Sequence, residues 1–204
     1  QKGCSVSFID VGQGDSALVR LRGGTTVLVD GGELFYPGSE VSCYGERLAP
    51  WLARNGIRRF DMVIATHPHS DHAGGLAEVV RRNPVSLILD RGYEHRTFVY
   101  EEFLNSARRR KIPVLRPLAG DEIDLGGGAK IFFLSPPSGG DFGSLNDNAL
   151  VFRLEYGETS FLFMADAGKP AEQWLVRNMG KHLKSDVLKV GHHGSRTSTS
   201  EAFL

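Results

Sequence analysis

Thr66-His67-Pro68-His69-Ser70-Asp71-His72 packs three histidines and one aspartate into six residues, in the pattern H-x-H-x-D-H. Asp61-Met62-Val63-Ile64-Ala65 precedes it, an apolar run of strand length. Ala73-Gly74-Gly75-Leu76 follows it, then a helical pattern with Leu76, Val79 and Val80 on one face. The cluster therefore sits on a strand-to-helix loop, where a rigid scaffold commonly presents function. Imidazoles and carboxylates at this spacing suit a borderline divalent metal. Four ligands on one short loop exceed what one ion takes from one loop, so two metals side by side are expected. Five of the seven histidines fall in two runs, 67–72 and 192–193, which chance spacing rarely produces. A zinc finger is excluded, because Cys4 and Cys43 cannot supply thiolates at finger spacing.

Upstream, Ser5 to Ile9 alternates as a half-buried strand. Asp10-Val11-Gly12-Gln13-Gly14-Asp15-Ser16 is a glycine-rich loop. Ala17 to Leu21 and Thr26 to Asp30 are strands joined by the Gly23-Gly24 turn. The three form an antiparallel meander. Asp10, Asp15 and Asp30 lie at its loop junctions. They either cap turns or accept hydrogen bonds from metal-bound imidazoles. Glu33 to Tyr44 is polar and reads as a flap. Glu46 to Asn55 is a helix with Leu48, Trp51 and Leu52 on one face.

Downstream, Val85 to Leu89 is a strand ending in Asp90. Phe98 to Lys111 is a helix with Phe98, Phe103 and Leu104 inward. Its basic end, Arg108 to Lys111, either complements the helix C-terminus or contacts phosphate. Two runs, 121–125 and 130–134, bracket Gly126-Gly127-Gly128 as a hairpin. Asn146-Asp147-Asn148 leads into a strand over 149–154. Ser160 to Met164 is another, ending at Asp166. Glu172 to Met179 is helical. Asp186 to Val190 ends in Gly191-His192-His193-Gly194-Ser195. Polar residues thus recur at strand ends, which is how a layered sheet assembles a metal site from distant sequence. The alternation of strand and helix implies α/β layering.

The chain has 204 residues, 41% hydrophobic and 24% charged, with zero formal net charge. This is the composition of a globular domain, and no global field advertises a polyanion partner. No apolar run reaches the ~20 residues that span a bilayer, so direct membrane insertion by this chain is not expected. Two cysteines leave a Cys4–Cys43 disulfide and two buried thiols equally open. A layered domain should close with more sheet or helix than the last residues supply. Residues 1–204 are therefore expected to be one domain lacking its C-terminal tail.

The H-x-H-x-D-H run, then Asp166 after an apolar strand, then a late histidine, resembles the metallo-β-lactamase fold. More narrowly, 8–15, 66–72, 146–147 and 190–195 are similar to the C-terminal domain of the ComEC competence DNA-uptake channel family. The resemblance implies an αββα sandwich, two mixed sheets flanked by helices, and two divalent metal ions. It implies His67 and His69 on the first metal, Asp71 and His72 on the second, and Asp166 bridging. His192 is the expected late ligand and His193 a neighbour that contacts substrate and protonates the leaving oxygen. The middle histidine of the fold is absent. Asp147 sits nearest its place, as a ligand or as a turn opening the next strand. A carboxylate there moves preference from zinc towards manganese or magnesium, and the ions expected are Mn2+ or Zn2+, with Mg2+ behind.

The expected activity is phosphodiester hydrolysis, a nuclease degrading the DNA strand that is not taken up. Asp71 doubles as proton acceptor, and Ser195 and Arg196 hold phosphate or simply start a helix. The implied partners are DNA, the membrane-embedded channel portion of a parent protein and the DNA-uptake machinery. The implied location is the outer face of the cytoplasmic membrane. Two other readings stay open: a hydrolase of another ester, thioester or lactone, and a non-catalytic, metal-stabilised DNA-binding module.

Overall fold

β-Branched and aliphatic residues at Thr26-Val27-Leu28-Val29 and Met62-Val63-Ile64-Ala65 build two strands in which every residue is buried. A computed structural model describes residues 3–34, 42–93 and 97–204. It divides into two units, 1–116 and 117–204. The expected flap lies largely outside the described residues.

The first unit is a six-stranded mixed sheet in sequence order. β1 (Cys4–Phe8), β2 (Ala17–Leu21) and β3 (Thr26–Val29) form the expected meander. β4 (Met62–Ala65), β5 (Ile88–Asp90) and β6 (Val114–Leu115) then run parallel to β3. Parallel neighbours need crossovers, and helices supply them. A π-helical turn (Tyr44–Leu48) with α1 (Ala49–Arg54) links β3 to β4. α2 (Ser70–Ala73) and α3 (Leu76–Arg82) link β4 to β5, and α4 (Phe98–Arg109) links β5 to β6. Leu28, Val63 and Ile88 meet Leu48, Leu52, Leu76, Val80 and Phe103 in one apolar core.

Helix α4 corrects one expectation. Phe98 is 72% exposed, while Tyr100 and Phe103 are fully buried. Residues 98 and 103 stand about 140° apart around a helix of 3.6 residues per turn, so they cannot share a face. Tyr100, Phe103 and Ala107 can. Within the basic run, Arg110 donates to the Val80 and Arg81 carbonyls at 2.7 and 2.8 Å, at the C-terminus of α3 and not of its own helix. Buried Asp90 has both oxygens within reach of the Tyr100 hydroxyl, at 2.9 and 2.8 Å, and accepts from Gly92 N. Burial nevertheless pushes the Asp90 carboxyl above its ordinary range.

The second unit is a five-stranded mixed sheet. β7 (Glu122–Gly126), β8 (Ala129–Ser135), β9 (Val151–Tyr156) and β10 (Thr159–Phe163) are antiparallel neighbours. β11 (Val187–Lys189) joins β10 in parallel after α5 (Lys169–Leu183). The cross-strand partners Phe133, Phe152 and Phe163 line up, and Phe152 and Phe163 stack at 4.7 Å. Helix α5 begins earlier than expected because Pro170 suits a first helical turn. Its buried Glu172 accepts from Ser200 N and Oγ at 3.0 and 2.6 Å, which ties down residues 199–200. No disulfide joins Cys4 and Cys43, and burial pushes the Cys4 thiol up.

Candidate metal centre

The C-terminal ends of the parallel strands carry the chemistry of the first unit. Register pairs Val29 with Ile64 and Ala65 with Asp90, so Asp30, Thr66 and Asp90 emerge along one sheet edge. Asp30 sits at φ +57, a left-handed conformation that aspartate tolerates. Its Oδ1 accepts from Thr66 N at 2.8 Å, and its Oδ2 accepts from Thr66 Oγ1 at 2.7 Å. The same Oδ2 lies 2.8 Å from His72 Nδ1. Asp30 is 1% exposed and His72 0%, so this pair is fully enclosed.

These distances fix two tautomers. A carboxylate only accepts, so His72 carries its proton on Nδ1 and keeps the Nε2 lone pair for a metal. The one proton of Thr66 Oγ1 is committed to Asp30, so the hydroxyl accepts from His67 Nδ1, 3.1 Å away. His67 therefore also keeps its lone pair on Nε2. The His67 ring packs 4.1 Å from His72 and 4.9 Å from His69, centroid to centroid. Ser70 opens α2, and its hydroxyl donates to Glu33 Oε2 at 2.9 Å.

Glycine backbones lock this turn to its neighbours. Asp15 N donates to Asp71 O at 3.1 Å, Gly31 N to His72 O at 2.8 Å, and Gly32 N to Asp15 O at 2.9 Å. A Cβ on Gly14 would lie 1.8 Å from Asp71 O, and one on Gly75 would lie 2.3 Å from Gly31 O. Only glycine allows so close a backbone approach.

In the second unit, Asp166 follows β10 and is 2% exposed. His193 Nε2 lies 3.5 Å from Asp166 Oδ1, and His192 Nε2 lies 3.8 Å from Oδ2. Atoms sharing one ion at about 2.1 Å in tetrahedral array are ~3.4 Å apart, which these spacings suit better than a hydrogen bond does. Both histidines hold positive φ, +46 and +52, inside a short 3₁₀ turn. Strained residues of this kind cluster at functional sites.

The donors fit a divalent ion. Asp15 and His72 offer ligand atoms within 4.8 Å of each other, and Asp166 and His193 do likewise. Each unit thus carries an Asp–His pair of candidate donors for a divalent ion. Asp15 thus lies beside His72, near where the sequence had suggested a supporting carboxylate. His193 offers a ligand atom beside Asp166, and His192 turns Nδ1 to Thr197 Oγ1 at 3.1 Å, which leaves its Nε2 towards Asp166. Ser195 Oγ contacts the same Thr197 hydroxyl at 3.0 Å, and Arg196 is exposed beside it.

Two carboxylates are engaged by loops. Asp10 accepts from Gly12 N at 3.0 Å and pairs with Arg47 at 2.7 Å, so it caps its own turn instead of holding an imidazole. Asp147 accepts from Gly168 N at 3.0 Å and Ser144 Oγ at 2.6 Å, so both its oxygens serve loop structure. Thr66 was missed, although its place directly before the first histidine was a usable signal. Glu33 was missed because nothing in its local sequence points to Ser70.

The metallo-β-lactamase superfamily model matches residues 9–204. The chain belongs to the metallo-β-lactamase superfamily. It is 35% identical to ComE operon protein 3 of Bacillus subtilis (strain 168), over 98% of this chain and 26% of that protein. It is 30% identical to competence protein ComA of Neisseria gonorrhoeae, over 98% of this chain and 25% of that one. The chain thus spans about a quarter of these relatives. Among solved structures, the metallo-β-lactamase fold protein YhfI of Bacillus subtilis aligns with TM-score 0.53 at 17% identity, over 82% of this chain and 61% of that one. This likeness is one of fold. No helix among the described residues is long and apolar enough to cross a membrane.

Proposed function

We propose that this chain is a metal-dependent phosphodiester hydrolase, the nuclease domain of a competence protein. The observation that carries the reading is the Asp30–Thr66 lock, which readies His67 and His72 as Nε2 ligands in a chain whose relatives include a named competence protein. His67 and His69 would hold one divalent ion and Asp71 and His72 a second, and Asp166 with His192, the expected late ligand, and its neighbour His193 are the donors that follow β10 and β11. Paired ions supply a hydroxide near neutral pH and neutralise phosphate oxygens. Asp71 takes the proton of the attacking water. Asp30 keeps His72 in one tautomer and orientation. Arg196, exposed beside the late histidines, is the cation for substrate phosphate. Carboxylates among the donors favour manganese over zinc.

DNA is the substrate in this reading. Residues 1–204 act as one domain of a larger membrane protein, at the outer face of the cytoplasmic membrane and beside its channel portion. The test is hydrolysis of linear DNA by metal-stripped protein resupplied with manganese, zinc or magnesium, beside His69→Ala and Asp71→Ala. Metal-dependent cleavage that both variants lose is expected. Protein that binds ions yet cleaves no DNA with any of them would overturn the nuclease reading in favour of another ester substrate or a binding module.

A further inference from the structure

We infer that Asp15 is a further metal ligand, an oxygen donor beside His72 supplied from outside the H-x-H-x-D-H turn; the inference rests on the metallo-hydrolase reading above. A carboxylate next to a buried imidazole serves either to orient the ring or to share its metal. The orienting place is taken, because His72 Nδ1 is bonded to Asp30 at 2.8 Å. Asp15 nonetheless brings a carboxylate oxygen within 4.8 Å of a His72 ring nitrogen.

The backbone around Asp15 is built to hold it there. Its N–H donates to Asp71 O and its carbonyl accepts from Gly32 N, so both sides of the residue are tied to the ligand-bearing loops. Gly14, at φ +96, lets residue 15 approach the Asp71 carbonyl with no Cβ in the way. Asp15 is half-buried, unlike the exposed Asp10 at the other end of the same loop. The glycine-rich loop 10–16 therefore delivers one carboxylate to the metal. A carboxylate in place of an imidazole hardens the site and tilts it towards manganese.

The experiment titrates metal-stripped wild type, Asp15→Asn, Asp15→Ser and Asp10→Asn with manganese and, separately, zinc. Calorimetry reads affinity and stoichiometry, and melting of the metal-free proteins reads the fold. Both Asp15 variants should melt like wild type without metal and bind manganese at least about tenfold more weakly. Zinc should weaken less, and Asp10→Asn should bind as wild type does. Unchanged manganese affinity in a folded Asp15 variant overturns the inference. So does lowered metal-free stability with unchanged affinity, which assigns Asp15 to loop structure alone. Wild type that binds no ion would overturn this inference and the metallo-hydrolase reading together. Asp15 variants that bind normally beside an active wild type would overturn only this one.

Discussion

The Thr66 hydroxyl stands 3.1 Å from His67 Nδ1, and its only proton goes to Asp30. One buried carboxylate thereby sets two imidazoles, His72 directly and His67 through Thr66. Thr66→Val keeps the side-chain shape and removes that relay. It leaves the His67 Nδ1 proton buried without its acceptor, at a cost of about 1–3 kcal/mol. Metal affinity should fall as His67 begins to sample the other tautomer. Chemical denaturation and metal titration check this, and a variant matching wild type in both refutes the relay.

Asp30→Asn is a sharper test. The amide accepts through one atom only and donates through the other. It cannot satisfy Thr66 N, Thr66 Oγ1 and His72 Nδ1–H together. His72 should move its proton to Nε2, the nitrogen kept for metal, and affinity should drop about 10–100-fold. Imidazole ¹⁵N resonances report the tautomer directly. A retained Nδ1 proton would contradict the assignment.

Asp90 gives a pH signature with a definite sign. Burial holds its folded carboxyl above the ordinary value of 3.8, so the folded chain keeps a proton that the unfolded chain has released. Its stabilising contribution is full below the unfolded value and disappears as pH rises through the folded one. Glu78, held low by its bond from Arg82, and Asp186, held low by Ser160 N–H, act in the opposite sense. The informative quantity is therefore the difference between wild type and Asp90→Asn. The variant should gain on wild type in denaturation midpoint as pH rises past the ordinary carboxyl value of 3.8. A flat difference would show that burial does not perturb this group.

Gly14 and Gly24 separate backbone conformation from crowding. Both have positive φ, +96 and +91, but a Cβ on Gly24 meets nothing within 4 Å. Gly24→Ala should cost about 1 kcal/mol for its conformation alone. Gly14→Ala adds the collision with Asp71 O and should cost about 3 kcal/mol or more. Equal costs would mean that the loop yields freely.

Much of this was legible in the chain. β2 matches its expected span residue for residue at Ala17–Leu21, because glycine-bearing turns bound the apolar run on both sides. The H-x-H-x-D-H turn could be read because its ligands are neighbours in sequence. Asp30 was legible only as one of two alternatives, since a strand-end aspartate caps turns as readily as it holds an imidazole. The choice between His192 and His193, and the sorting of Asp15 from Asp10 and Asp147, depend on where loops lie in space. Residue type and spacing carry no such information. Phe98 was misread because apolarity was counted without its angular position on the helix.

The glycine interlock has a kinetic consequence. Loops around active sites usually fluctuate independently and exchange their amide protons fast. Here the Asp15, Gly31, Gly32 and Gly75 amides are bonded from loop to loop, so releasing any one requires the others to part. They should exchange as a single slow cooperative unit, closer to the sheet than to a surface loop. The seat at His72 is then standing before an ion arrives, and little ordering entropy is left for binding to overcome.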